Sequence, residues 1–179
     1  MQHFSLSHPR AAQTRRRAER GLSLIEASMV LALAAVVIGG AVAYYQMASQ
    51  RSKNVATNGA LQTIVSTVDS LYASKGTYDG LTDATLASSG MLPAHLVDSK
   101  NKKLLSPHGG TFTVKGTGTK YTVQVDNVKP ALCLMLAHND FGTNLVSFKI
   151  NGQDVSGDAY DEACSTDGGA AVPMVWELY

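Results

Sequence analysis

An apolar run from Leu22 to Tyr45 contains a single charged residue, Glu26. Between Ala27 and Tyr45, Ser28 is the one residue that is neither apolar nor glycine. As a helix rising about 1.5 Å per residue, the run is long enough to cross a bilayer. At the centre of such a helix an acidic side chain is unfavourable by roughly 2.5–3.5 kcal/mol. A carboxylate inside a membrane-length helix therefore indicates a function for that carboxylate.

The segment before this run, residues 1–21, is polar and basic. Its basic residues are Arg10, Arg15, Arg16, Arg17 and Arg20, against one acid, Glu19. The segment has no apolar periodicity and is interpreted as a targeting leader. Positive charge before an apolar span keeps that end in the cytoplasm. The rest of the chain is therefore expected to face the periplasm or the cell exterior.

Removal of the leader after Gly21 would change the charge of the chain. The remainder keeps 10 of the 15 basic residues and 13 of the 14 acidic residues, a formal net charge of −3. A mildly acidic chain lacks the basic surface that is typical of nucleic-acid binding. No direct binding to nucleic acid is expected.

A second helical pattern follows the apolar run. Apolar residues recur at helical spacing on an otherwise polar segment: Leu61, Ile64, Val65, Val68, Leu71 and Tyr72. The two patterns predict one helix from Leu22 to about Ala73, apolar first and amphipathic second. The amphipathic half is expected to pack on a globular domain, and Lys75-Gly76 is expected to end the helix.

The C-terminal half changes to the period of two that is typical of strands. Residues 77–110 are expected to be irregular, apart from a short helix capped by Thr82 and ended by Gly90. Two strands, 111–115 and 120–125, are expected to form a hairpin with its turn at 116–119. A helix is expected at 131–137, and two further strands at 145–150 and 174–179. A long helix followed by a mostly antiparallel sheet is an α+β layout.

Two cysteines, Cys133 and Cys164, lie 31 positions apart. If the N-terminal segment exports this domain, a disulfide between them is the expected state. In the entropic model, closing a loop of this length stabilises the fold by about 3–4 kcal/mol. The alternative is a pair of buried free thiols in a cytosolic protein.

Sites for catalysis or for a cofactor are not indicated by the sequence. His95, His108 and His138 lack metal-ligand spacing to a cysteine or an acid. A thiol nucleophile formed by Cys133 and His138 is less plausible than a structural cysteine on an apolar helix. The glycines at 116–120 lack the full spacing of a phosphate loop and join two strands. We therefore predict a protein that is not an enzyme, with no catalytic residue, no cofactor and no metal site.

The stretch RGLSLIEASMVLALAAVVIGGAVAYY, residues 20–45, resembles the N-terminus of type IV prepilins. It has a basic leader, a glycine at the cleavage position, an apolar first residue and a glutamate at the fifth mature position. The continuation ASMVLALAAV is similar to the type IVb branch, which includes bundle-forming pilins and thin-pilus subunits of conjugative plasmids. The resemblance implies the type IV pilin fold, divided into leader (1–21), membrane and assembly half-helix (22–54) and globular domain (55–179).

The resemblance also implies a life cycle. A prepilin peptidase is expected to cleave between Gly21 and Leu22 and to N-methylate Leu22. Glu26 is expected to neutralise the amine of Leu22 in a neighbouring subunit, and a C-terminal disulfide of similar span occurs in type IVb pilins. The implied partners are copies of the same chain, inner-membrane assembly proteins and an outer-membrane secretin. The precursor would lie in the inner membrane of a Gram-negative cell, and the polymer would be an extracellular pilus serving adhesion, aggregation, motility or conjugation.

Other interpretations remain open at this point. An ordinary signal peptide would be cleaved after 41–43, where Ala-Val-Ala fits a small-residue site, although Glu26 inside the apolar region argues against it. Within the family, the chain could be a minor pilin or a type II secretion pseudopilin. From another class, the rival is a membrane-anchored periplasmic binding domain that never polymerises.

Overall fold

The computed structural model describes residues 23–165 and 169–179. Within them the α-helices are α1 (Leu24–Tyr72), α2 (Asp83–Ser88), α3 (Pro130–Ala137) and α4 (Tyr160–Cys164). The strands are β1 (Val97–Asp98), β2 (Lys103–Leu105), β3 (Thr111–Thr117), β4 (Lys120–Val128), β5 (Leu145–Ile150), β6 (Gln153–Asp154) and β7 (Val172–Leu178). Single 3₁₀ turns lie at Ala94–Leu96, Gly142–Asn144 and Gly157–Ala159. All strand pairs described are antiparallel, in the order β1-β2-β3-β4-β7-β5-β6, which confirms the α+β prediction.

The described chain forms two compact units that divide between Ala43 and Tyr44. The first unit contains the beginning of α1, and its side chains from Ser28 to Ala43 are all exposed. This part of α1 is long and apolar enough to cross a membrane, with a mean hydropathy of 2.2 over 18 residues. The predicted start of the helix at Leu22 lies outside the described residues.

The second unit contains the rest of α1, whose apolar stripe enters the core. Leu61, Ile64 and Val68 are completely buried, whereas the predicted core residues Val65 and Leu71 are half-buried at the edge of the stripe. Tyr72 is the last helical residue, and Gly76 adopts a positive φ of 67° just beyond it. That left-handed conformation is readily adopted by glycine and takes the chain out of the helix, so the predicted end near Lys75-Gly76 is confirmed.

The sheet contains the predicted hairpin with a tighter connection. Thr117 pairs with Lys120, so β3 and β4 are joined by two residues and not by four. Gly118 has a φ of 58°, as such turns require. The last strand begins before Pro173 and not after it, because a proline near the start of a strand removes few ladder bonds. Trp176 on this strand is buried.

The expectation that residues 77–110 are irregular is wrong in two places. The helix α2 is present, with Thr82 as its N-cap, but β1 and β2 also lie in this segment. These strands pair through Val97 and Leu104, and only the second of those residues is buried. Strands of two and three residues are too short to show an alternating pattern, so only pairing to β3 reveals them.

Gly116 offers a sharp test of packing within the second unit. A Cβ atom at this position would overlap the carbonyl oxygen of Tyr78 and lie 2.8 Å from the Cβ of Leu81. We expect Gly116→Ala to lower the free energy of unfolding by about 1–3 kcal/mol, because overpacked backbone must shift. Gly59→Ala is the matched control, since a Cβ there meets nothing within 4 Å and alanine favours helix. Urea unfolding of the detergent-solubilised protein measures both, and equal midpoints would contradict the expectation.

Candidate assembly surface

The apolar part of α1 presents large exposed side chains. Their exposed fractions run from 52% to 89%: Leu24, Ile25, Met29, Val30, Leu31, Leu33, Val36, Val37, Ile38 and Val42. A continuous apolar surface of this kind marks a site for lipid or for another protein. We call residues 24–43 the apolar segment of α1. Its chemistry is that of contact with hydrocarbon or with other apolar helices, and Glu26 is its one ionisable side chain.

Glu26 lies in the first turn of α1 and is exposed. Its Oε2 atom accepts a long hydrogen bond of 3.4 Å from the backbone N–H of Ser23. This is one half of a capping box, in which a glutamate reaches back to the residue that precedes the helix. Negative charge is also favoured at this end of a helix. No cation of the described residues forms an ion pair with Glu26, so its charge is available to another group.

The predicted cleavage and methylation positions, Gly21 and Leu22, lie outside the described residues. The structure thus describes Glu26 but not Gly21 or Leu22, the residues on either side of the predicted cut. Its predicted role in assembly stays a prediction.

Cys133 and Cys164 form a disulfide, with their Cα atoms 5.7 Å apart. The bond joins α3 to α4, and both cysteines are buried within the core. The predicted C-terminal disulfide-bonded region is confirmed, and the alternative of two free thiols is wrong. The short helix α4 has few residues in the core, and the cross-link holds it against α3.

His108 lies in the loop between β2 and β3, where it has a definite structural role. Its Nε2 atom is 3.0 Å from the backbone oxygen of Asp126, and its Nδ1 atom is 2.6 Å from the hydroxyl of Ser106. Since a carbonyl can only accept, Nε2 carries a proton and donates to Asp126, and Nδ1 shares a hydrogen bond with the hydroxyl of Ser106. Thr57 on α1 lies 3.4 Å from the same Nδ1. The imidazole thus connects the loop to α1 and β4.

The other two histidines among the described residues, His95 and His138, are not arranged for metal binding either. The Nδ1 atom of His138 is 2.8 Å from the backbone oxygen of Leu134, and His95 lies in a 3₁₀ turn. Within 23–165 and 169–179, no group of three or more histidine, cysteine or acidic residues could hold a metal ion.

Asp69, on α1, carries a carboxylate that no sequence motif marks. The hydroxyl of Tyr121 on β4 donates to it over 3.1 Å. Burial raises the pKa of Asp69, and the hydrogen bond from Tyr121 acts in the opposite direction. Burial also raises the pKa of Tyr121, with the charge of Asp69 adding to the effect. The partners are 52 positions apart, so only the tertiary fold brings them together.

Asp69 also lines an open groove of about 280 Å³ beside α1. The residues of this groove are Gln62, Val65, Ser66, Asp69, Asp140 and Phe141. Residues 62–69 come from α1, whereas Asp140 and Phe141 come from the loop after α3. We call it the Asp69 groove. The sequence alone gives little indication of this groove, because one acid beside an apolar stripe is ordinary on an amphipathic helix.

Comparison with known proteins gives a consistent result. The model of the Bundlin family matches residues 46–172. The major structural subunit of the bundle-forming pilus from Escherichia coli O127:H6 (strain E2348/69 / EPEC) is 34% identical over 137 residues, which is 74% of this chain and 71% of that protein. The subunit of the same name from Escherichia coli O111:H- matches equally well. These matches confirm the resemblance drawn from residues 20–45, and the chain belongs to the Bundlin family.

Proposed function

We propose that this chain is the major structural subunit of a type IVb pilus. The carrying observation is the apolar segment of α1, a membrane-length helix whose large side chains are exposed and whose one charge, Glu26, lacks an ion-pair partner in the described chain. Two relatives are major structural subunits of a bundle-forming pilus, which supports the same role here.

The proposed steps of assembly keep the exposed apolar segment covered, first by lipid and then by neighbouring subunits. The basic charge of the leader (residues 1–21) keeps it in the cytoplasm while the apolar segment spans the inner membrane. A prepilin peptidase then cleaves after Gly21 and methylates Leu22. Inner-membrane assembly proteins next transfer the segment from lipid to a bundle of identical helices, so that its apolar surface stays covered throughout. The growing filament leaves a Gram-negative cell through an outer-membrane secretin.

Glu26 has a charge to neutralise in that bundle. Removal of the leader gives Leu22 a free amine, which would enter the apolar interior of the filament. Two opposite charges in such an interior must be paired, since an unpaired buried charge costs several kcal/mol. The exposed carboxylate of Glu26 is suited to the amine of a neighbouring Leu22. The weak contact with the Ser23 N–H does not occupy both oxygens of the carboxylate.

Two other functions compete with this one. A minor pilin or a type II secretion pseudopilin would share the N-terminal helix, and abundance in the filament distinguishes them from a major subunit. A membrane-anchored binding domain that never polymerises would share the anchor. Glu26 favours polymerisation over that rival, because an isolated membrane anchor gains nothing from a carboxylate in its apolar segment.

The proposal predicts both the processing and the location of the protein. Filaments sheared from the cell surface should consist mainly of this chain, and N-terminal sequencing should begin Leu-Ser-Leu-Ile-Glu. The expected cut removes the basic leader and leaves the apolar segment intact. A mature protein beginning at Tyr44 would establish an ordinary signal peptide and exclude a pilin. Correct cleavage with the chain only at trace level in filaments would indicate a minor subunit.

A further inference from the structure

The amphipathic part of α1 has three charged residues, Arg51, Lys53 and Asp69. None of them forms an ion pair with another described residue; the pairs present join Lys120 to Glu177 and Lys149 to Asp154. On a free subunit Arg51 and Lys53 are exposed to water, whereas Asp69 is half-buried. If α1 packs against other copies of itself, they lose water and need partners of opposite sign.

Arg51 and Asp69 lie on the same stripe of α1. They are 18 residues apart, which is five turns at 3.6 residues per turn and about 27 Å along the axis. The positions between them that share the stripe include Val55, Gln62 and Val65. A distance of this size prevents Arg51 from reaching Asp69 of its own chain. In a second copy displaced by that length along the helix axis, Arg51 would lie level with Asp69 of the first copy.

The Asp69 groove has the charge and shape to receive a cation. Asp69 and Asp140 both line it, and no basic residue does. One oxygen of Asp69 accepts from Tyr121, and Oδ1 of Asp140 accepts from the Gly142 N–H at 2.7 Å. Each carboxylate has a second oxygen with free lone pairs. A nearby cation would also offset the burial that raises the pKa of Asp69.

Arginine suits this groove better than lysine, and Arg51 is better placed than Lys53. A guanidinium has five N–H donors in a plane and can bond two carboxylates at once, whereas an ammonium is a point charge. Lys53 is four residues before the buried Thr57 and so lies on the face that leads into the core. Arg51 is four residues before Val55, which is 61% exposed. The face of Arg51 is therefore open to a neighbour.

We propose that the Asp69 groove binds Arg51 of a second copy of this chain, with the two α1 helices parallel and staggered by about five turns. The inference rests on the proposed function, since only a polymer presents one α1 to another. The contact is heterologous, because each subunit offers Arg51 to one neighbour and its groove to a different one. Contacts of this type repeat without closing and generate a helical filament.

Charge reversal tests the pair in cells that make the full-length chain. Arg51→Glu should reduce the number of surface filaments by about tenfold or more, because it places a third carboxylate against Asp69 and Asp140. Arg51→Glu combined with Asp140→Lys should restore a large part of the yield. Lys53→Glu is the matched control: it has the same change of charge two residues away and should leave filament numbers near the wild-type level. The amount of disulfide-bonded subunit in the membrane shows that each variant folds.

Cysteine cross-linking tests the stagger directly. Cysteine at position 51 removes the cation without adding a repelling charge, so the Arg51→Cys, Ser66→Cys double variant should still build filaments at reduced yield. Those filaments should form a ladder of covalent multimers on oxidation, since Ser66 is exposed and lines the groove. Filaments of the Lys53→Cys, Ser66→Cys variant should form about tenfold fewer such products, because Lys53 lies on another face. A ladder from the first pair supports the proposal, and equal cross-linking by the two pairs overturns it.

The outcomes separate this inference from the proposed function. If the wild-type chain forms filaments and Arg51→Glu matches Lys53→Glu in filament number, the inference is wrong and the pilin function stands. If the wild-type chain forms no filaments with its own assembly proteins present, the proposed function is wrong and the inference falls with it. Loss of filaments in Arg51→Glu with rescue by Asp140→Lys supports both.

Discussion

A Glu26→Val subunit is expected to be made, cleaved and held in the inner membrane, yet to build few or no filaments. Valine removes a charge from the apolar segment of α1, so membrane insertion should become easier by about 2–3 kcal/mol. Assembly should fail, because the amine of Leu22 would enter the filament without a partner, and that burial costs several kcal/mol. Electron microscopy of sheared surface fractions measures the effect.

A Glu26→Gln subunit is the control that separates charge from helix capping. Glutamine can still accept the hydrogen bond from the Ser23 N–H, because its side-chain oxygen resembles that of glutamate. It carries no charge to pair with an amine. If charge is the essential property, glutamine and valine should fail alike. Normal filaments from Glu26→Gln would show that capping, and not ion pairing, is the requirement.

Co-expression with the unaltered chain gives a further readout for Glu26→Val. The variant should enter mixed filaments, because its own amine can still meet Glu26 of a wild-type neighbour. Normal filament numbers from the Glu26→Val subunit alone would show that this carboxylate is not the assembly contact.

Loss of the disulfide is expected to have the second-largest effect. Cys133→Ser should lower the free energy of unfolding by about 2–5 kcal/mol, as is usual when a small exported domain loses a native disulfide. Both positions are buried in the core, so the variant also leaves the Cys164 thiol and the new hydroxyl there. Subunit abundance should fall markedly, whereas membrane insertion should change little, because the apolar segment of α1 contains neither cysteine.

The double variant Cys133→Ser, Cys164→Ser is the matched control. If the bond itself is responsible, the double variant should be about as stable as either single variant, because the three lack the same cross-link. Urea unfolding of detergent-solubilised protein gives the comparison. A single variant with wild-type stability would show that the disulfide contributes nothing to this fold. A double variant much less stable than both singles would attribute the loss to the buried side chains instead.

Helical elements could be predicted closely from the sequence. The apolar segment and the stripe of Leu61, Ile64 and Val68 both follow the period of the α-helix, which is local information. Thr82 caps α2, and Pro130 begins α3, because the backbone groups that they satisfy or replace are neighbours in sequence. Gly76 ends α1 for the same kind of reason. These features need no knowledge of the rest of the chain.

The sheet was predictable only in part. The hairpin of β3 and β4 has the alternating pattern and turn glycines that sequence can show. The strands β1, β2 and β6 are too short for a pattern and exist because a longer neighbour offers a free edge. The central place of β7, between β4 and β5, follows from pairing with residues far away in the chain. No local pattern encodes the order of strands in a sheet.

The sequence by itself determined the long two-part helix, the charge of its apolar segment at Glu26 and the pair of cysteines, because each depends on residue types at short spacing. Only the tertiary structure decided that Tyr121 reaches Asp69, that His108 joins a loop to α1, and that Asp69 and Asp140 share a groove. These contacts join residues about 50 or more positions apart, which folding brings together through the burial of apolar surface shared by helix and sheet.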